Sequence, residues 1–118
     1  MERRILVVDD EPYLREILIQ RLRNRAYAVE GATDGEDALI KIGARHFDLV
    51  ILDLLMPKSG GVEVLHTLES VPSSPRVIVL SGLAELWHRH HEDSPVVAAF
   101  QKPVDFDRLV RAIESAFR

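Results

Sequence analysis

Three times in this chain an unbroken apolar run stops at an acid or a hydroxyl. Ile5-Leu6-Val7-Val8 stops at Asp9, Leu49-Val50-Ile51-Leu52 at Asp53, and Val77-Ile78-Val79-Leu80 at Ser81. Such runs, rich in β-branched residues, suit strands buried on both faces; a half-exposed strand would alternate with polar residues. A sheet of such strands must be covered on both sides, which restricts the chain to a layered α/β architecture. The run ending at Asp53 constrains most, because Pro57 then prevents the strand from continuing. Asp53 is thus placed at the carboxyl end of a central strand, where open α/β sheets bind ligands. A carboxylate there is costly unless something compensates it.

Between the runs the spacing turns helical. A strand over about 4–9 is followed by Pro12, which suits a first helical turn, and Leu14, Ile17, Leu18 and Leu22 predict a helix over 12–25. Residues 28–32 read as a weak edge strand with small side chains. Thr33 or Asp34 can cap a helix over 35–45 carrying Ala38, Leu39 and Ile42. A strand over 48–53, a loop over 57–61 and a helix over 62–70 follow, then a short loop at 72–75 and a strand over 76–81. Leu83 to Trp87 open a further helix, although His88 to Asp93 are polar on every face and Pro95 closes it. Val96 to Phe100 form the last strand. Asp105 caps a helix over 105–117 whose apolar stripe is Phe106, Leu109, Val110, Ile113 and Phe117. Strand and helix alternate five times, which predicts a doubly wound (βα)5 parallel sheet. Right-handed crossovers then place every strand's carboxyl end on one edge. A single domain over 1–118, with no output module in this chain, is expected.

Composition narrows the function. The 118 residues are 47% hydrophobic with a formal net charge of −4. That balance argues against a nucleic-acid surface, which needs a basic face. With no cysteine, disulfides and thiolate metal sites are excluded. No apolar run approaches the ~20 residues of a membrane span, and no signal-peptide pattern opens the chain, so the cytoplasm is the expected compartment.

The carboxyl edge would gather Asp9 and Asp10 from the first strand, Asp53 from the third, Ser81 from the fourth and Lys102 from the fifth. Three crowded carboxylates destabilise one another's ionised forms. A small divalent cation resolves this. Mg²⁺ takes oxygen ligands and is commonly held by one or two carboxylates together with substrate phosphate. Mg²⁺, an ammonium and a hydroxyl together suit a phosphoryl group, and Asp53 can act as the nucleophile that accepts it.

In these motifs the chain resembles the receiver domain of bacterial two-component response regulators. Val7-Val8-Asp9-Asp10-Glu11, Leu52-Asp53-Leu54-Leu55-Met56-Pro57, Leu80-Ser81-Gly82 and Gln101-Lys102-Pro103 match that family in type, order and approximate spacing. The resemblance implies a flavodoxin-like sheet of order 2-1-3-4-5 and a phosphoprotein in which Asp53 takes phosphate from a sensor histidine kinase or phosphotransfer protein. It implies Mg²⁺ (or Mn²⁺) held by Asp9, Asp10, Asp53 and the backbone carbonyl of Leu55. Ser81 would be the switch hydroxyl, Lys102 would pair with the phosphoryl group, and the Lys102–Pro103 bond would be cis. The domain would signal rather than catalyse, apart from its own phosphorylation and slow dephosphorylation. A homodimer or downstream effector would engage the face made by the segment after Ser81, strand 96–100 and helix 105–117, with no direct contact to nucleic acid or membrane. Two departures stand out: Ala99 occupies the usual aromatic position, with Phe100 next, and Gly60 stands where the family often has Asp.

Blander readings stand beside these. Asp9 or Asp10 can serve only to cap the first helix. His88 and His91 can share a helix face for zinc, yet no acid or cysteine completes a site, so a solvated helix is expected. Arg15, Arg21, Arg23 and Arg25 read as a solvated basic face, which in receivers is also where kinases dock. Leu55 and Leu83, two residues past Asp53 and Ser81, would overhang an acyl phosphate and hinder water. Competing classes are a receiver-like module that never takes phosphate, a dehalogenase-like phosphatase, which needs a second Asp where Leu55 stands, and a flavin-binding domain. The last would meet repulsion between phosphate and Asp9-Asp10-Glu11.

Overall fold

The computed structural model describes residues 2–56, 60–81 and 94–118. Among them, five parallel strands form one sheet: β1 (Arg4–Val8), β2 (Ala28–Ala32), β3 (Leu49–Asp53), β4 (Arg76–Leu80) and β5 (Val96–Phe100), in the order β2-β1-β3-β4-β5. Four helices are described: α1 (Pro12–Arg23), α2 (Gly35–Ala44), α3 (Gly61–Glu69) and α4 (Phe106–Ala116). The order and the parallel pairing are those the resemblance implied. Most element ends fall within two residues of the positions expected. The helix expected after Ser81, the His88/His91 pair, Leu83 and Pro57 lie outside the described residues.

Alternation along the buried strands divides the core into two. Leu6, Val8, Val50, Leu52, Val77 and Val79 face one side and pack with Ala38 of α2 and Val64, Leu65 and Leu68 of α3. Ile5, Val7, Leu49, Ile51, Ile78 and Leu80 face the other, against Leu18, Ile19 and Leu22 of α1 and Leu109 and Ile113 of α4. A continuous apolar run is therefore two interleaved faces, each with its own helical cover. The edge position of β2 explains its thin sequence, since only Val29 and Ala32 of its five residues are buried.

Local chemistry sets the helix ends. Asp34 caps α2 by accepting from the Asp37 N–H at 2.8 Å, and Asp105 caps α4 by accepting from the Arg108 N–H at 3.3 Å. Gly60 precedes α3 at φ 79°, a conformation costly for a residue with a Cβ. A Cβ on Gly61 would collide with the Asp53 carbonyl oxygen and with the Leu54 backbone. The Gly60-Gly61 pair thus lets α3 start directly against the end of β3.

The basic face is exposed at Arg21, Arg23 and Arg25, as expected, yet its side chains reach specific partners. The Arg15 guanidinium donates to the Asp9 carbonyl at 2.8 Å, and Arg23 donates to the Val29 carbonyl at 2.8 and 3.2 Å. Arg21 and Arg25 lie over the Phe106 ring, at 5.0 and 5.9 Å from its centroid. Arg15, Arg21 and Arg23 tie α1 to the sheet and to α4, and Arg25 joins them from the turn just beyond its end, because backbone carbonyls and an aromatic face lie within reach of long cationic stems.

Candidate functional site

The carboxyl edge of the sheet collects side chains from the ends of four strands, β1, β3, β4 and β5. Asp9 follows β1 directly and is fully buried. Its N–H donates to Ala32 at 3.2 Å, extending the β1–β2 pairing by one residue. Its Oδ1 accepts from the Glu11 N–H at 2.9 Å, which fixes the turn into α1. Asp10, its neighbour, is exposed. Asp53 closes β3 opposite Leu80 and is 2% exposed. Its Oδ1 accepts from the Leu55 N–H at 3.0 Å. Ser81 follows β4, buried, and its N–H donates to the Phe100 carbonyl at 3.0 Å. The register that sets Asp53 beside Leu80 brings Ser81 to the same edge.

Lys102 ties the strands together. Its Nζ lies 3.1 Å from Asp53 Oδ2 and 3.1 Å from Asp9 Oδ2. The bond to Asp53 is well directed. Asp9 Oδ2 is a buried oxygen that meets Lys102 as an ion pair and has no other partner among the described residues. The peptide bond from Lys102 to Pro103 is cis.

The charges perturb one another. Burial pushes the Asp53 carboxyl above its ordinary range and Asp9 adds to the push, while the Leu55 N–H and Lys102 oppose it. Burial alone would lower the Lys102 ammonium, but Asp9 and Asp53 outweigh it and its pKa is raised. Lys102 therefore stays charged, and one ammonium faces two buried carboxylates.

One carboxylate oxygen from each of Asp9, Asp10 and Asp53 lies within 4.8 Å of the others. An all-oxygen set with surplus negative charge and a buried oxygen met only by Lys102 fits a hard divalent cation such as Mg²⁺. Leu55 contributes its main chain next to Asp53, while its side chain is 57% exposed at the rim.

The family model of the response regulator receiver domain matches residues 5–114. The chain belongs to that family. It is 37% identical over 84 residues to the transcriptional regulatory protein ResD of Bacillus subtilis, covering 71% of this chain and 35% of that protein. It is 29% identical over 119 residues to the response regulator ArlR of Staphylococcus aureus, covering 97% of this chain and 52% of that protein. The chain thus spans about a third and about half of these two relatives. Among solved structures, the response regulator TrrA of Thermotoga maritima in complex with Mg²⁺–BeF is 34% identical with a TM-score of 0.82, covering 97% of this chain and 98% of that one. TrrA has also been solved in complex with the histidine kinase ThkA, at 33% identity and a TM-score of 0.82, covering 98% of this chain and 99% of TrrA. The chain is a receiver domain of two-component response regulators.

Sequence reading passed over some supports of this receiver site. Strand β2, read only as a weak edge, supplies two main-chain carbonyls: Ala32 takes the Asp9 N–H and Gly31 takes the Lys41 ammonium. Arg15 holds the Asp9 carbonyl from α1. The Gly60-Gly61 doublet was a usable signal for the tight approach of α3. Arg15 carries no local mark, because its partner is a backbone atom outside α1; the i,i+4 pairing of Lys41 with Asp37 at 3.3 Å is legible locally, but its second partner, the Gly31 carbonyl, is not.

Proposed function

We propose that Asp53 is the phosphoacceptor of this receiver and takes its phosphoryl group from a sensor histidine kinase or phosphotransfer protein. The observation that carries this reading is Lys102 Nζ standing 3.1 Å from a carboxylate oxygen of β3 and 3.1 Å from the acid that follows β1. A carboxylate oxygen of Asp53 attacks the phosphorus. The phosphorus–nitrogen bond of the donor phosphohistidine breaks as the oxygen–phosphorus bond forms, and the imidazole recovers its electron pair and a proton from solvent. Asp9, Asp10, Asp53 and the Leu55 carbonyl would hold Mg²⁺ (or Mn²⁺), which when bound offsets negative charge on the transferred oxygens. The Leu55 N–H orients one Asp53 oxygen and leaves Oδ2 toward Lys102. Lys102 exchanges its carboxylate partner for a phosphoryl oxygen, and the Ser81 hydroxyl donates to another.

The added charge, about −1.5 to −2, then biases a switch between two arrangements of the face that includes β5 and α4. A second copy or a downstream effector reads that face. The exposed Leu55 side chain hinders an attacking water, so self-dephosphorylation is slow and Leu55→Asn accelerates it. The domain acts as a signalling module in the cytoplasm, and no described helix is long and apolar enough to cross a membrane.

The test is incubation with acetyl phosphate and Mg²⁺, read by intact mass. Wild type gains one phosphoryl group, and Asp53→Asn and EDTA-treated wild type gain none. Labelling of Asp53→Asn to the wild-type extent would overturn the assignment.

A further inference from the structure

At the opposite, amino edge of the sheet lies a cavity of about 370 Å³ between the loop before β3, the start of β4 and the end of α4. Arg3, His46, Asp48, Arg76 and Arg118 line it, with Phe117 as an apolar wall. Among the described residues, neither Arg3 nor Arg76 forms an ion pair within 4.0 Å, although the charge of Arg3 acts on Asp48 from farther off. Asp48, the acid of this wall, is already engaged: Oδ2 accepts from the Arg4 N–H at 2.8 Å and Oδ1 meets His46 Nε2 at 3.0 Å. Ser74 Oγ donates to the Pro75 carbonyl at 2.7 Å, which leaves the cationic side chains as the cavity's donors. Arg3 is held in place by its guanidinium lying 5.1 Å from the Phe117 ring centroid. Stacking uses the face of a guanidinium and leaves its N–H edge available.

We propose that this cavity is an anion site for a phosphate group, gripped by the N–H edges of Arg3 and Arg76 with His46 at the rim. Two or more guanidinium groups converging on one concavity suit the bidentate recognition of phosphate oxygens. The volume falls within the range of small-ligand pockets. Free phosphate and a phosphate monoester share this chemistry. The site is independent of the acid cluster and of the phosphoacceptor assignment.

The test follows backbone amide shifts of the chain, with EDTA present so that the acid edge holds no metal, and with ionic strength held constant by NaCl. Inorganic phosphate, pyrophosphate and AMP are titrated separately. Saturable shifts are expected at Arg3, His46, Asp48 and Arg76, with pyrophosphate tighter than phosphate. Arg76→Ala and Arg3→Ala each weaken pyrophosphate about tenfold, the effect of removing one charge-assisted hydrogen bond. Arg111→Ala, which removes an equal charge outside the cavity, leaves binding unchanged. Both test positions are exposed, and retained shift dispersion shows that each variant folds. AMP binding tighter than phosphate assigns the site to a monoester, and equal binding assigns it to free phosphate. Shifts that never saturate, that centre on Asp9 and Asp53, or that weaken equally in Arg111→Ala would overturn the proposal.

Discussion

The two edges of this sheet carry opposite charge and treat it in opposite ways. At the carboxyl edge Asp9 and Asp53 are buried to 0% and 2% exposure, and one ammonium compensates both. At the amino edge Arg3, Arg76 and His46 stand in solvent. Water screens the second group and not the first. The same parallel topology builds both edges, because all strands point one way. Burial decides which edge stores electrostatic repulsion and which one merely displays charge. A receiver needs the first kind, since a group that must respond to one added phosphoryl charge works best where little else screens it.

The contrast is sharpest in backbone packing at the carboxyl edge. A Cβ on Gly61 would collide with main-chain atoms of Asp53 and Leu54, and backbone cannot swing aside as a side chain can. Gly61→Ala should destabilise by about 4 kcal/mol or more and displace Asp53. Gly43, late in α2, has nothing within 4 Å of its Cβ position. Gly43→Ala should stabilise by about 0.5–1 kcal/mol. Urea unfolding of the two variants gives opposite signs if the packing is as described.

The next largest effect comes from charge. Lys102→Ala leaves Asp9 and Asp53 facing each other with no cation between them. Breaking a buried pair costs about 3–5 kcal/mol, and the 28% exposure of the lysine reduces this to about 2–3 kcal/mol. Mg²⁺ should then raise the melting temperature of Lys102→Ala more than that of wild type, because it becomes the remaining compensation. Arg76→Ala at the other edge should change stability by no more than about 0.5 kcal/mol. Comparable destabilisation in the two variants would erase the distinction between the edges.

How much of this was legible follows the same division. The buried strands were plain because burial on both faces forbids polar interruption, and the acids that end them marked the carboxyl edge. Which strand neighbours which was not written in the runs themselves; it came with the family resemblance. The unequal fates of Asp9 and Asp10 were also hidden. Two adjacent acids look alike until the β1–β2 pairing is seen to extend over Asp9. The arginines of α1 and of the turn after it fell at outward positions, yet their partners, the Asp9 and Val29 carbonyls and the Phe106 ring, lie in other elements. Local periodicity says which way a residue faces and nothing about what it meets there.

A smaller effect separates the turns. Gly60 occupies the left-handed region before α3, whereas Ala26, in the turn from α1 to β2, sits there at φ 69° with a Cβ. The Asn of that turn, Asn24, keeps a right-handed φ of −65°, so neither Gly nor Asn marks the left-handed position itself. Relief of left-handed strain outweighs the extra freedom that glycine gives the unfolded chain, so Ala26→Gly should stabilise by about 0.5–1 kcal/mol. Thermal melts would read this as a rise in Tm.

The subtlest effect is the sign of a pH slope. Burial, helped by Asp9, holds the Asp53 carboxyl above its ordinary value of 3.8. A raised folded pKa favours the fold in the protonated form. That contribution is full below the unfolded-chain value and is lost as pH rises through the folded one. Asp48 is the reverse: burial pushes it up, but the Arg4 N–H, His46 and Arg3 together hold it below 3.8. Its contribution is full above the unfolded-chain value and is lost as pH falls through the folded one. Asparagine does not titrate, so subtracting a variant's stability from wild type isolates each group. In EDTA, wild type minus Asp53→Asn should fall as pH climbs upward from 3.8, and wild type minus Asp48→Asn should fall as pH drops below it. Slopes of the same sign would mean that solvent reaches both carboxylates alike, and the buried repulsion that sets the carboxyl edge apart would not exist.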